Sequence, residues 1–188
     1  STPIKSSAAS DVYKRQFRNL TEWLLFSQLD FDFIAESLLP IQYEKTEDGR
    51  LHVGEMAYDV VIVPGCETLR STTVSCLKEY RLAGGDLLFL GAAPELVDAV
   101  PDEEGKALYE NSRSAGFSRS ELVRALEDYR EVELRSENGS LADHLLYQMR
   151  QDSDGRWLFV VNGKKTVNKD IPMEENITFR LKGLWEVW

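Results

Sequence analysis

This chain is poor in the residues that most often carry chemistry. Among 188 residues there are two cysteines and two histidines. Cys66 and Cys76 cannot make a disulfide framework, and neither belongs to a Cys/His ligand pattern, so the sequence points to no metal site. His52 and His144 stand in no recognisable pairing with either thiol. The glycines at 84, 85 and 91 fall into neither a GxGxxG nor a P-loop spacing, so no nucleotide cofactor is expected. Positive charge is short as well: 22 basic against 32 acidic residues leave a net charge of −10. Nucleic acid and anionic membrane surfaces both demand a basic face, and both are excluded as partners. No apolar run approaches the roughly 18 residues that span a bilayer, and no leader pattern opens the chain. An acidic soluble chain of this kind favours the cytoplasm, and any export signal would have to lie upstream.

What is present is globular. A hydrophobic content of 43% with 10% aromatics argues against disorder. The length suits one domain of ordinary size plus part of another. The most informative stretch is Tyr58–Leu96, YDVVIVPGCETLRSTTVSCLKEYRLAGGDLLFLGAAPEL. A β-branched run, Val60 to Val63, stops at Pro64-Gly65. A helix-period stretch follows, with Ser71 or Thr72 as N-cap and Val74, Leu77 and Tyr80 on one face. Gly84-Gly85 supplies a left-handed stop, and a second apolar run, Leu87 to Leu90, breaks at Gly91. Two continuous apolar strands around an amphipathic helix predict a βαβ crossover with the strands parallel.

Those residues resemble the glutamine-amidotransferase-like, flavodoxin-like superfamily, whose members often carry a YD-apolar-apolar-PGG strand end. In its catalytic branches the next strand ends in a turn bearing a nucleophilic cysteine. Here that turn reads Gly91-Ala92-Ala93-Pro94, so the resemblance implies a non-catalytic copy. Cys66 falls where the family places a glycine. Such copies occur as accessory domains of large bacterial glycoside hydrolases, including the trimerisation domain of some β-galactosidases. The phrases LDFDFIAESLL, GRLHVGEMAYDVVIVPGCETLRSTT and DGRWLFVVNGKK look like the corresponding domain of long glycosidases, some of them α-L-rhamnosidase-like. The likeness covers about Phe17 to Trp188. It implies an accessory or scaffolding role, with the catalytic domain of a parent protein, carbohydrate and further copies of the chain as partners. Whether the chain itself is an enzyme stays open at this point. The rival readings are a small amidotransferase-like hydrolase using Cys66, and a carbohydrate-binding module.

The expected architecture is a doubly wound α/β sheet of flavodoxin type, lacking its first strand, followed by the start of an antiparallel β-sandwich. Residues 1–16 contain the string SAASDVYKRQ. It resembles sequence that recurs at the ends of unrelated metagenome-derived gene models, and the segment reads as a non-native or disordered leader. Residues 17–140 read as the α/β domain. From Phe17 a helix runs to a fraying end at Ser27-Gln28, and Phe31–Ile34 alternates as a short strand. In a 2-1-3-4-5 strand order the slot beside Val60–Val63 would then be empty. Asp98 to Gly116 reads as an exposed loop or short helix, Ser118 and Glu121 as a capping box, and Glu131–Leu134 as the next strand. Residues 141–188 read as β-strands. Asp154-Gly155 turns a hairpin between Leu145–Gln151 and Arg156–Val161, followed by a strand at Ile177–Leu181 and another beginning at LWEVW.

The candidate site residues are few. Asp30 and Asp32 are the tight carboxylate pair, i and i+2 on the expected strand and therefore on one side of it, the kind of pair glycoside hydrolysis uses. As solvated positions alternating with buried Phe31 and Phe33 they need no function. Cys66, at a strand-to-helix turn, could have its pKa lowered by the helix N-terminus. Trp157, Trp185 and Trp188 could stack on sugar rings, against the plainer expectation of Trp157 and Trp185 in a sandwich core. Asp98, Asp102, Glu103 and Glu104 lack metal-ligand spacing and read as a solvated run.

Overall fold

The computed structural model describes residues 4–164 and 174–183, and the chain divides into two compact units. One is built on the N-terminal helix, through Phe31, and on the chain from Leu126 onward. The other is Asp32–Ala125. In chain order come α1 (Ile4–Phe26), α2 (Leu39–Gln42), β1 (Tyr43–Glu47), β2 (Arg50–Val53), β3 (Met56–Tyr58), β4 (Val60–Pro64) and β5 (Thr68–Leu69). Next are α3 (Ser71–Leu82), β6 (Asp86–Leu90), β7 (Leu96–Val97), β8 (Val100–Pro101), α4 (Glu103–Glu110), β9 (Arg113–Ala115) and α5 (Arg119–Ala125). After a 3₁₀ turn at Glu127–Tyr129 come β10 (Val132–Arg135), β11 (Leu145–Gln151), β12 (Arg156–Asn162) and β13 (Thr178–Leu181). The fold is mixed α/β: among the described residues β4–β6–β9 is a parallel sheet, the small β5–β7–β8 sheet is mixed, and the other three sheets are antiparallel.

In the Asp32–Ala125 unit, β4 and β6 pair in parallel, Val60 opposite Asp86 through Pro64 opposite Leu90, as the crossover reading expects. The connecting helix α3 buries Val74, Leu77 and Tyr80 in the core with Leu87 and Phe89 of β6. Its C-terminus closes as a Schellman motif. Gly84, at φ +87°, donates to the Arg81 carbonyl, and Gly85 donates to that of Tyr80. The N-terminus differs from expectation. Neither Ser71 nor Thr72 caps it; Glu36 accepts the Arg70 N–H at 2.5 Å and Asp98 accepts the Ser71 N–H at 3.1 Å. Two carboxylates distant in sequence do the work of a local hydroxyl, and negative charge is favoured at that end of a helix.

Within Asp98–Gly116, read as an exposed loop or short helix, the short helix is present as α4, and the stretch also holds a third parallel strand that the reading did not include. There β9 joins the far side of β6, Leu88 opposite Arg113 and Leu90 opposite Ala115. Arg-Ser-Ala has no apolar signature, so only its pairing partner makes it a strand. The same stretch holds α4, capped by Asp102, whose Oδ1 accepts the Glu104 N–H at 2.7 Å. With order β4–β6–β9, β6 is interior and Leu87–Leu90 are buried. Val60, Val61 and Ile62 of β4 are half-buried, and among the described residues β4 has β6 alone as strand neighbour.

The unit also carries an antiparallel meander, β1–β2–β3. Its first turn is Asp48-Gly49, both at positive φ, the Asp-Gly hairpin signature that the sequence displayed without its being used. Phe31–Ile34 is not a strand. Its backbone is irregular, Phe33 is 53% exposed and Ile34 38%, so the alternating pattern does not by itself make a strand here.

In the other unit, β10 pairs antiparallel with β13 and β11 with β12. The Asp154-Gly155 hairpin is present, with a four-residue loop, Asp152–Gly155. Asp152 Oδ1 accepts the N–H groups of Asp154 and Gly155 at 2.9 Å each. Val132, Leu134 and Ala142 form a small core covered by Tyr147, Met149 and Leu158 from the hairpin and Leu181 from β13. Strands on both sides of residue 140 thus share one compact unit, which differs from the 17–140 and 141–188 division. Helix α1 starts at Ile4, inside the segment set aside as leader. Ser27 and Gln28, expected to fray, are each 1% exposed. The expected strand at LWEVW lies outside the described residues.

Candidate functional site

An open parallel sheet presents ligands at the carboxyl ends of its strands. Here those ends are Pro64 of β4, Leu90 of β6 and Ala115 of β9. At this edge the turns after β4 and β6 pack closely on their neighbours. A Cβ on Gly65 would meet the Leu90 carbonyl oxygen at 3.0 Å, and one on Gly91 would meet Gly65 Cα and Phe117 Cβ at 3.6 Å each. The Gly91 N–H donates to Ala115 O at 2.8 Å, and Tyr109 Oη donates to Gly91 O at 3.3 Å. Tyr109 also meets Phe89 edge-on, with ring centroids 5.3 Å apart. The turn Gly91-Ala92-Ala93 has no nucleophilic side chain, and the Gly91 N–H and carbonyl are both engaged in structural hydrogen bonds.

Cys66 sits next to this edge, half-buried against the Asp32–Ala125 core. Burial pushes its thiol up to about 11, and the Glu36 carboxylate adds to the shift. The expectation of a pKa lowered by the helix N-terminus is reversed. The α3 entry is already neutralised by Glu36 and Asp98, and Glu36 repels a thiolate. A thiol in this state is not an activated nucleophile.

Asp30 and Asp32 do not form a pair on one strand face. The boundary between the two compact units falls between Phe31 and Asp32, so the carboxylates belong to different units. Both are exposed. Asp32 Oδ2 accepts a hydrogen bond from Tyr58 Oη at 2.8 Å, a surface brace for the strand leading into β4. In the other unit, Asp30 and Glu131 lie near enough to Tyr147 to reinforce the upward shift that burial gives its phenol.

No family model, curated protein or solved structure matches this chain.

The acidic run 98–104 also has structural duties. Asp98 and Asp102 cap α3 and α4, and hydrogen bonding to Ser71 holds the Asp98 carboxyl below the usual range. Among the described residues no group of three or more His, Cys, Asp or Glu could hold a metal ion, and no helix is long and apolar enough to cross a membrane. Trp185 and Trp188 lie outside the described residues. Trp157, expected in a sandwich core, is 58% exposed on β12, and its indole Nε1 donates to Asp152 Oδ2 at 2.9 Å. Two positions along the same strand, Phe159 is 59% exposed. Strand alternation places both rings on the face turned away from Leu158, and sequence reasoning did not pick out Phe159. The signal was available: Trp157, Phe159 and Val161 alternate with Leu158 and Val160, so both faces of β12 are apolar and a small unit can bury only one.

Proposed function

We propose that this chain is a non-catalytic accessory module of a larger carbohydrate-active enzyme, of the amidotransferase-like, flavodoxin-like type. The observation that carries the reading is the turn at the carboxyl end of β6, which has no nucleophilic side chain and whose Gly91 backbone is engaged in structural hydrogen bonds. The turn after β6 offers Gly91-Ala92-Ala93, Tyr109 bonds the Gly91 carbonyl, and burial pushes the nearby Cys66 thiol up. The parallel order β4–β6–β9 in sequence order fits three consecutive strands of a flavodoxin-type sheet, and the antiparallel strands after β9 fit the beginning of a sandwich. Its role is scaffolding: packing against a catalytic domain, bordering a substrate cleft, or holding copies of the parent together. The reading of Cys66 as an amidotransferase nucleophile is disfavoured by the same thiol environment.

Sequencing the genomic locus on both sides tests the reading. A reading frame continuing into a glycosidase catalytic domain supports it; a self-standing frame bounded by its own start and stop overturns it. Purified chain assayed against aryl glycosides and glutamine should show no turnover. Activity lost in Cys66→Ala or Asp32→Asn would also overturn the reading.

A further inference from the structure

We infer that the exposed face of the β11–β12 hairpin is a binding platform for a neutral oligosaccharide, with Trp157 and Phe159 as stacking rings. Residues i and i+2 of a strand stand about 6.6 Å apart on one face, so the two exposed aromatic side chains are neighbours on it. Trp157 is not a loose surface side chain. Its Nε1–H is bound to Asp152, and Asp152 is itself fixed by accepting the Asp154 and Gly155 N–H groups. The carboxylate has its charge satisfied by three donors and is held below the usual range by them. The indole is thereby tied to the loop through its N–H while 58% of the residue stays exposed, and a tethered ring loses less freedom on binding.

The side chains beside the rings decide the occupant. Across the ladder, Arg150 lies opposite Trp157 and Gln148 opposite Phe159, and both are exposed. A protein surface packed on this face would take a guanidinium and a primary amide out of water together with the rings, at a cost unless each found a partner. A pyranose suits both kinds of neighbour. Its C–H faces lie on aromatic rings, and the hydroxyls on its rim donate to and accept from Gln148 and accept from Arg150. A polyanion is disfavoured by the net charge of −10, with Arg150 as the cation beside the rings. The inference goes beyond the accessory reading and does not rest on it, because the hairpin face is tested directly.

The experiment titrates the purified chain with neutral β-linked gluco-, xylo-, manno- and galacto-oligosaccharides by ligand-detected NMR and calorimetry, with a heparin oligosaccharide as anionic comparator. At least one neutral sugar should bind saturably. Trp157→Ala should weaken it about tenfold or more, and Phe159→Ala less. Asp152→Ala, which frees the indole, should weaken it too. Gln148→Ala and Arg150→Ala, at exposed positions that leave the hairpin core intact, keep the test valid if the ring variants misfold. Four outcomes overturn the inference: no neutral sugar saturates, heparin alone binds, folded Trp157→Ala binds like the parent chain, or the ring variants abolish self-association while sugar has no effect.

Discussion

The side-chain amide of Gln28 pairs with both backbone polar groups of Leu134, accepting its N–H at 2.7 Å through Oε1 and donating to its carbonyl at 3.0 Å through Nε2. Nε2 also donates to Ala142 O at 3.3 Å. On its other edge β10 pairs with β13; on this one Ala142 N–H also donates to the Leu134 carbonyl at 2.8 Å, and Gln28 supplies the acceptor for the Leu134 N–H. Beside it, the Arg130 side chain is 1% exposed and donates to the Ser27 carbonyl at 3.1 Å. The arrangement holds Gln28 at φ +60°, a conformation that costs free energy and is maintained by these bonds.

Gln28→Ala should therefore destabilise the chain by about 2–3 kcal/mol, because buried Leu134 N–H loses its acceptor. Urea denaturation followed by circular dichroism measures it. A loss below about 0.5 kcal/mol, the scale of an ordinary surface change, would show that water or a neighbour replaces the amide.

Gly85 is required by Tyr80. A Cβ at position 85 would lie 2.1 Å from the Tyr80 ring, which is fully buried and whose hydroxyl donates to Asp86 O at 3.0 Å. Gly85→Ala should cost about 1–3 kcal/mol through overpacking. Combined with Tyr80→Ala, which removes the obstacle, it should cost much less, so a double-mutant cycle reads the clash as a coupling energy. Strict additivity would refute the account.

Ala99 is strained in the turn between β7 and β8. Asp98 and Ala99 have φ of +50° and +63°, and the turn is held because Asp98 N–H donates to Leu69 O and Ala99 N–H to Thr68 Oγ1. Ala99→Gly removes a left-handed penalty of about 1 kcal/mol and should raise the melting temperature. Thermal denaturation checks the sign; a lower midpoint would mean that the methyl group has a packing role.

Cys66 gives a pH dependence. Its folded thiol is pushed up to about 11 from an ordinary 9.0, so the native state resists losing the proton that the unfolded chain gives up readily. The associated stability is fully present below pH 9, falls as pH rises from there, and is gone above about 11. Cys66→Ala should flatten that part of the stability profile. At pH 8 the native thiol should be alkylated about tenfold more slowly than in denatured chain. Fast native alkylation would restore the nucleophile reading.

The βαβ unit was legible because each of its parts is a local signal. Val60–Val63 and Leu87–Leu90 are unbroken apolar runs, Val74, Leu77 and Tyr80 share a helical face, and Gly84-Gly85 ends the helix by backbone geometry alone. The Asp154-Gly155 hairpin was legible for the same reason. Tertiary structure decided what depends on partners remote in the chain. Arg113–Ala115 is a strand only because β6 offers its edge, and Phe31–Ile34 is irregular despite its alternation. The α3 cap comes from Glu36 and Asp98 rather than from the adjacent Ser71. Gln28 is buried because Leu134 has an N–H and a carbonyl to satisfy. The site followed the same division. The missing nucleophile at Gly91-Ala92-Ala93 is a matter of sequence. The sign of the Cys66 shift and the exposure of Trp157 depend on which face the core, with limited apolar surface to cover, could bury.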